Sequence, residues 1–230
     1  MGEKMKKTEQ DLIFSNSESD NWFKRNKECI ISKKADEDYC FNAIKTMPRL
    51  EEIQSVLELG SSNGYRLNFL KQILPNCKRF VGVDLSQEAV RDGRERYNLD
   101  MQVNSITGYK VKEKFDMVIV NFVLHWVDRS NIFSAIANID GCLTNEKDSF
   151  LVLGDFLPDV PYKKQYHHRQ DFNLYTYKCC YKNVFLSLNT YKTILEKTYN
   201  CDDHNDYGNN YNNCSVSILK KSLDQYYIEL

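Results

Sequence analysis

The middle of the chain alternates between short apolar runs and segments in which apolar residues recur at helical spacing. Runs at 56–59 and 80–83 predict two strands, and the pattern at 67–74 between them predicts a helix. Further apolar runs at 115–121 and 150–155 predict two more strands. Because strands that alternate with helices form a parallel sheet covered by helices on both faces, the pattern predicts an α/β fold.

The segment before this alternation has a different pattern. Residues 11–47 mix acids, bases and aromatic residues, and Trp22 and Phe23 supply the apolar face of one or two predicted helices. Pro48 is expected to end this region, because the residue before a proline is pushed out of the helical conformation. These helices either cover the site as a lid or simply cap the sheet.

The segment after residue 155 changes pattern again. Residues 156–182 are rich in tyrosine, histidine and bases, and prolines interrupt any early helix, so an excursion over the cleft is expected. Helical periodicity resumes near Val184, Leu188 and Ile194. A polar, Asn-rich loop is expected at 202–213, followed by a closing antiparallel strand at 215–219.

Helix starts are marked by capping residues. Ser86 is a good N-cap for the helix that carries Ala89 and Val90. Asp128 or Ser130 can cap the next long helix, whose expected apolar positions are Ile132, Phe133, Ile136 and Ile139.

The composition of the chain argues against several classes of function. With 31 basic and 32 acidic side chains the formal net charge is −1, so nothing attracts a polyanion to the molecule as a whole. The first residues are charged without a following apolar core, and no segment approaches the roughly 20 apolar residues that span a bilayer. We therefore expect a cytoplasmic protein without a membrane partner, and its oligomeric state is left open.

The eight cysteines include no C-x-x-C pair, and no histidines cluster at zinc spacing. In a cytosolic chain we expect the cysteines to be reduced packing residues. No metal site is predicted.

Candidate chemistry lies where the first two strands end. Glu58 lies inside the first strand, Gly60 opens a turn of small residues, and Asp84 ends the second strand. In an open parallel sheet this arrangement binds nucleoside-containing cofactors, because glycine lets the backbone approach the ligand and the acid accepts from ribose hydroxyls. The dinucleotide pattern G-x-G-x-x-G fails at Ser62 and Tyr65, and Glu58 would repel two phosphates but suits an amino group.

Read as E-x-G-x-x-x-G followed by an acid, this segment resembles motifs I and II of the class I S-adenosylmethionine-dependent methyltransferases. Downstream, 115–121 is similar to the fourth strand of that family, 124–127 to its loop beside the methyl group, and 150–155 to its fifth strand. The motifs occur in the family's order over residues 54–155, which is harder to obtain by chance than any single motif.

The resemblance implies a Rossmann-like three-layer sandwich with a mostly parallel seven-stranded sheet and an antiparallel last strand. We expect a single domain over residues 1–230. Its expected parts are an N-terminal helical lid (1–47), a cofactor-binding core (48–155), a substrate-covering excursion (156–182) and a C-terminal helix with closing strands (183–230).

The resemblance also implies S-adenosyl-L-methionine as cofactor and assigns roles to residues at the strand ends. Glu58 would hold the ammonium group of the methionyl part, and Asp84 would bind both ribose hydroxyls unless it is a helix N-cap. Asn104 or Ser105 would bind the adenine amino group unless both are turn formers. The remaining expected cofactor contacts are the turn residues Gly60, Ser62 and Gly64, with Leu85 at the adenine and Asn121 on the same rim. The family often has glycine at the position of Ser62.

Methyl transfer requires an aligned nucleophile and exclusion of water, and a hydroxyl nucleophile benefits from a base such as histidine. The candidates are His125, beside the expected methyl group, and His167 and His168 in the excursion. A lone histidine is more often a packing or hydrogen-bonding residue than a base, and His204 in the Asn-rich stretch is set aside.

The excursion interleaves bases with aromatic residues. Either this run is a solvated charged surface, or it binds an anionic substrate through Tyr162, Lys164, Tyr166 and Arg169. Taken together, the sequence predicts methyl transfer to a small molecule, at an oxygen of a sugar, sugar phosphate or natural-product intermediate. The alternatives are a tRNA or rRNA methyltransferase and a non-catalytic cofactor-binding subunit, and a dinucleotide oxidoreductase is disfavoured.

Overall fold

The computed structural model describes residues 7–169, 172–187, 189–201, 212–223 and 226. Leu188, His204 and positions 202–211 of the predicted Asn-rich loop lie outside these ranges.

The described residues form helices and strands in an alternating order through the core. The α-helices are α1 (Glu9–Ile13), α2 (Ser19–Ser32), α3 (Tyr39–Ile44), α4 (Tyr65–Leu70), α5 (Gln87–Tyr97), α6 (Ile132–Cys142) and α7 (Lys182–Leu186). The strands are β1 (Ser55–Leu59), β2 (Arg79–Asp84), β3 (Asp100–Val103), β4 (Met117–Asn121), β5 (Ser149–Phe156), β6 (Tyr162–Gln165), β7 (Tyr175–Lys178), β8 (Tyr191–Asn200) and β9 (Asn213–Lys221). A π-helical segment, Phe14–Glu18, joins α1 to α2, and short 3₁₀ helices lie at Ala35–Glu37, Leu50–Glu52 and Leu124–Trp126.

Within the described residues, seven strands form one sheet in the order β3-β2-β1-β4-β5-β9-β8. The pairs from β3 to β5 are parallel, whereas β9 is antiparallel to both β5 and β8. β6 and β7 form a separate antiparallel hairpin in the predicted excursion. The predicted α/β sandwich with a mostly parallel sheet and an antiparallel closing strand is confirmed.

The sheet is covered on both faces, which explains its nearly continuous apolar strands. Leu57 and Leu59 of β1 belong to a core layer that contains α6 and α7, whereas Val56 belongs to the layer that contains α3, α4 and α5. Because side chains alternate along a strand, Glu58 lies on the same face as Val56, towards α3 and α4.

The sheet order reverses between β1 and β4. β2 and β3 lie on one side of β1, and β4 and β5 lie on the other. The chain therefore leaves β1 and β4 towards opposite edges of the sheet. Ligands of open α/β sheets bind in the crevice outside the carboxyl ends of the strands at such a switch point. The expected site residues therefore lie where the topology places a ligand.

The C-terminal region differs from the expectation. The predicted helix around Val184 ends at Leu186, and Ile194 belongs to β8 instead. β8 is an edge strand that pairs with β9 from Tyr191 to Asn200, with a register shift at Ile194, and the paired residues on either side of Ile194 outweigh the weak helical pattern. The helical prediction for Ile194 was wrong.

The start of α6 also differs from the expectation. Asn131 is its N-cap residue and makes no side-chain capping bond, while Asp128 Oδ1 accepts from the N–H and hydroxyl of Ser130 in the preceding turn. Phe133, expected on the apolar face, is 75% exposed. By contrast Ser86 caps α5 as predicted, since its Oγ accepts from the Ala89 N–H at 3.0 Å.

Two cysteines were also assigned wrongly. Cys201 and Cys214 form a disulfide, because the pairing of β8 with β9 brings the end of one strand beside the start of the other. The expectation of eight reduced cysteines therefore fails at this pair.

No described helix has the length and apolar character needed to cross a bilayer. Over the same residues, no group of three or more histidine, cysteine or acidic side chains is arranged to hold a metal ion.

Candidate cofactor and acceptor site

The loop between β1 and α4 holds three residues in the left-handed backbone conformation. Gly60, Ser62 and Gly64 have φ values of 75°, 51° and 74°. A Cβ atom on Gly60 would lie 2.2 Å from Cγ2 of Val123, so only glycine fits there. Ser62 has adopted a left-handed conformation that favours glycine.

The loop leaves buried polar atoms without partners among the described residues. They are the Oγ atoms of Ser61 and Ser62 and the Oε2 atom of Glu58. Buried polar atoms are usually hydrogen-bonded, so unsatisfied ones beside a switch point are suited to a polar ligand. Because these atoms surround a left-handed glycine turn, the residues present fit a cofactor that carries hydroxyl and amino groups.

Glu58 belongs to a buried ion cluster that the sequence did not predict. Arg66 of α4 donates to Glu58 Oε1, and its Nε and second amino group donate to the two carboxylate oxygens of Asp38 at 3.0 and 2.9 Å. All three side chains are at most 4% exposed. Burial raises the pKa of Glu58 to about 7, although the charge of Arg66 acts in the opposite direction.

Asp84 ends β2 beside the glycine loop. Its Oδ2 accepts from the Ser62 N–H at 2.7 Å, and its Oδ1 accepts from the Ser86 N–H at 2.8 Å. Burial raises its pKa to about 6, and these backbone N–H groups oppose the rise. Since Ser86 is the N-cap of α5, Asp84 is not the capping residue.

The expected adenine contacts lie after β3. Asn104 Oδ1 accepts from the Ser105 N–H at 2.8 Å, and Ser105 Oγ accepts from the Gly108 N–H at 2.9 Å. Both side chains therefore stabilise a turn in this structure. Leu85, which follows Asp84, is half-buried.

A cavity of about 430 Å³ opens beside the Arg66 cluster. Asn121, at the end of β4, contributes to its wall and accepts from the Cys40 thiol at 3.2 Å. The rings of Tyr39 and Tyr199 stack at 3.7 Å on another side. The remaining lining residues are Lys33, Glu37, Asp38, Cys40, Arg66, Phe122 and Cys201. This volume lies in the range of small-molecule sites.

His125 is buried in the 3₁₀ helix after β4. Its Nδ1 lies 2.9 Å from Oδ1 of Asp155, and its backbone N–H donates to Oδ2 of the same carboxylate at 3.3 Å. Asp155 lies one residue before the end of β5 and was not predicted as a site residue, although its position near a strand end resembles that of Asp84. His167 and His168 lie on an exposed turn after β6, with their rings 3.9 Å apart.

The fold buries some residues of the basic and aromatic run in the excursion and leaves others exposed. Tyr166 is buried against Trp126 and donates its hydroxyl to Glu18 at 2.9 Å. Arg169 lies over the ring of Phe172 and 4.0 Å from Glu18. Lys164 is exposed on β6 and Tyr162 is half-buried. Tyr166 and Arg169 therefore connect the excursion to the N-terminal segment.

Comparison with known proteins agrees with this geometry. Residues 56–146 match a family model described as a methyltransferase domain. An uncharacterized methyltransferase of Schizosaccharomyces pombe is 31% identical over 87 residues, which are 35% of this chain and 31% of that protein. The match thus spans about a third of the length of that relative.

Two solved structures share the fold. The 1,6-didemethyltoxoflavin N1-methyltransferase of Burkholderia thailandensis has a TM-score of 0.67 at 10% identity, covering 97% of this chain and 94% of that one. The N-methyltransferase NodS of Bradyrhizobium japonicum WM9 has a TM-score of 0.55 at 15% identity, covering 86% of this chain and 97% of that one.

Both of these structures contain S-adenosylhomocysteine. We conclude that residues 56–146 are similar to a methyltransferase domain and that the chain has the fold of the class I S-adenosylmethionine-dependent methyltransferases, as its motifs predicted.

Proposed function

We propose that this protein transfers the methyl group of S-adenosylmethionine to a small-molecule acceptor. The observation that carries the proposal is the left-handed loop at the switch point between β1 and α4, where Glu58 Oε2 and Ser62 Oγ are buried without a hydrogen-bond partner among the described residues. A dinucleotide would place phosphates beside Glu58, which like-charge repulsion disfavours.

Within this proposal each residue has a distinct task. Glu58 Oε2 accepts from the ammonium group of the cofactor, and the loop backbone lies against its amino-acid and ribose parts. Asp84 has spare lone pairs for ribose hydroxyls, because each carboxylate oxygen accepts more than one hydrogen bond. When bound, the cofactor supplies a methyl group on an electrophilic sulfonium. The chain's own contribution is to align the acceptor and exclude water.

His125 is our candidate for the base. Since Asp155 accepts from Nδ1–H, the lone pair of His125 is placed on Nε2, where it can receive a proton from an acceptor hydroxyl. His167 and His168 stay weaker candidates, because both are exposed and the described residues provide no carboxylate partner for either ring.

The size of the cavity supports a small acceptor. Its lining combines acids, bases and a stacked tyrosine pair, and its volume of about 430 Å³ lies in the range of small-molecule sites. An oxygen of a sugar, sugar phosphate or natural-product intermediate remains our proposal for the acceptor atom. The net charge of −1 gives no support to a nucleic-acid acceptor.

The cytoplasmic location also remains a prediction. The Cys201–Cys214 disulfide does not favour it, because disulfides are rare in reducing compartments.

Calorimetric titration with S-adenosylhomocysteine tests the proposal. The wild-type protein is expected to bind, and Asp84→Ala is expected to weaken binding by about tenfold to a hundredfold, since a hydrogen bond to a charged group contributes about 1.5–3 kcal/mol. Glu146→Ala, an exposed acid before β5, is the matched control and should bind like wild type.

Methyl transfer itself is measured with an isotopically labelled methyl donor and a panel of hydroxyl and amino compounds. Labelled product from at least one small acceptor is expected. Binding of a nicotinamide dinucleotide in place of S-adenosylhomocysteine would overturn the proposal.

A further inference from the structure

The Glu58–Arg66–Asp38 cluster is the most heavily buried group of charges in the described part of the site. Glu58 comes from β1, Arg66 from α4, and Asp38 is the N-cap residue of α3. Exposed fractions are 0% for Glu58, 4% for Arg66 and 2% for Asp38. Removing charges from water is costly, so the way in which the two acids share one guanidinium determines the charge of each.

The sharing is unequal. Asp38 accepts two hydrogen bonds from Arg66, one from the Phe41 N–H at 2.8 Å and one from the Tyr65 hydroxyl at 3.1 Å. Burial acts to raise the pKa of Asp38, but Arg66 and these hydrogen bonds outweigh it and hold that pKa below its usual value. Asp38 is therefore the ionised partner of Arg66.

Glu58 accepts fewer hydrogen bonds than Asp38 does. It accepts one hydrogen bond from Arg66 through Oε1, and its Oε2 has no partner among the described residues. Burial raises the pKa of Glu58 to about 7, and the negative charges of Asp38 and Asp84 add to the rise against the opposing charge of Arg66. The protonated and ionised forms of Glu58 thus coexist near neutral pH.

The other titratable groups around Glu58 titrate at lower or at much higher pH. Burial raises the pKa of the Cys40 thiol on α3 to about 12, and it raises that of Tyr65 on α4 well above its usual value. Asp84 on β2, whose pKa is raised to about 6, stays mostly ionised at pH 7 and acts on Glu58 as a like charge. Lys33, between α2 and α3, lowers the pKa of Asp38.

We propose that Asp38 is a positioning residue that draws the Arg66 guanidinium away from Glu58 and so leaves Glu58 partly protonated until an ammonium group binds, and that binding then releases up to one proton. The inference rests on the proposed function, because it assigns the ammonium to the amino-acid end of the cofactor. The O–H bond of the Glu58 carboxyl group breaks, its proton passes to the solvent buffer, and the new carboxylate accepts from the ligand ammonium through Oε2. No oxidant, reductant or further reactant takes part.

The expected pH dependence has a definite sign. Below about pH 7 Glu58 is protonated in the free protein, so binding must remove a proton and the affinity falls by up to tenfold for each further unit of pH decrease. Above that pH the carboxylate is already formed, and the affinity reaches a plateau.

The test compares S-adenosylhomocysteine with 5′-methylthioadenosine, which has the adenosyl part but lacks the amino acid. Titration calorimetry is run from about pH 5.5 to about pH 8.5 in buffers of different ionisation enthalpy, which reports protons released on binding. S-adenosylhomocysteine should release up to one proton with a midpoint near pH 7, whereas 5′-methylthioadenosine should release none through Glu58.

Variants separate this coupling from a merely structural role. Asp38→Asn keeps an N-cap residue for α3 and removes a like charge, so the midpoint should move down by about one pH unit. Glu58→Gln should abolish the proton release that has its midpoint near pH 7 and leave only the pH dependence that Asp84 causes near pH 6 with both ligands. Asp36→Asn, an exposed acid two residues before Asp38, is the matched control and should leave the midpoint unchanged.

The outcomes are distinguishable. Binding of S-adenosylhomocysteine without proton release overturns the inference and leaves the proposed function intact, and so does proton release with a midpoint near pH 7 that persists in Glu58→Gln. Failure of both ligands to bind wild type at any pH removes the proposed function itself.

Discussion

At position 62 a serine has taken up a backbone conformation that normally belongs to glycine. Its φ is 51°, and its buried Oγ has no hydrogen-bond partner among the described residues. A left-handed conformation costs a residue with a Cβ atom about 1–2 kcal/mol, part of which is offset because glycine loses more entropy on folding.

Ser62→Gly is therefore expected to raise the free energy of unfolding by about 1 kcal/mol, as measured by urea denaturation. Ser61→Ala is the control: it removes a neighbouring hydroxyl that has no partner among the described residues, and it does not relieve a left-handed backbone. It therefore measures the effect of losing a buried hydroxyl alone. A less stable Ser62→Gly protein would mean that the hydroxyl makes an interaction that outweighs the strain.

The contacts of Arg66 show which features of a single residue the sequence does not predict. The glycine turn and Asp84 are visible because short-range patterns define them, whereas Arg66 has no motif. A basic residue inside the apolar pattern of α4 indicates a buried acid partner, but nothing local identifies Asp38, which lies 28 positions away. The same holds for Asp155 and His125, which are 30 positions apart.

Among the elements, the N-terminal segment connects two sides of the rim. At one end Asp20 of α2 accepts from the Ser86 hydroxyl at 2.6 Å and from the Glu88 N–H at 3.1 Å, both at the start of α5. At the other end Gln10 donates to Tyr175 and Trp126. The π-helical segment between these ends brings Glu18 to Tyr166, consistent with the tendency of π-bulges to occur at functional sites.

Asp20→Ala tests whether this segment is a lid or a fixed cap. The loss of its bonds to α5 should lower the free energy of unfolding by about 1 kcal/mol, as for other capping interactions. If the segment opens to admit ligand, stopped-flow measurements should also show a severalfold faster association of S-adenosylhomocysteine. Glu28→Ala, on the exposed side of α2, is the control. An unchanged association rate together with lower stability would identify a static cap.

At the scale of the whole molecule, the antiparallel end of the sheet supports the cavity wall. Tyr199, near the end of β8, stacks on Tyr39, and Cys201 just beyond it is joined to Cys214. The disulfide closes a loop with a sequence separation of 13 residues. Constraining a loop of that length contributes about 3 kcal/mol in the chain-entropy model.

Reduction of the disulfide, or Cys201→Ser with Cys214→Ser, should therefore lower the free energy of unfolding by about 2–4 kcal/mol in chemical denaturation. Cys29→Ser, at an exposed free cysteine, is the control. Thiol titration of the denatured, unreduced protein should find six of the eight cysteines. Eight reactive thiols would show that the bridge does not form in solution.

The sequence by itself determined the strands β1, β2, β4 and β5, the helices that join β1 to β2 and β4 to β5, the glycine turn, the Ser86 cap and the acids at the strand ends. These features depend on side-chain periodicity and backbone preference within a few residues, so they can be read locally. Only the tertiary structure decided that Ile194 lies in an edge strand and that Tyr166 binds Glu18, 148 positions away. It also decided that Arg66 divides its charge between two acids, because such contacts depend on which faces the packed sheet brings together.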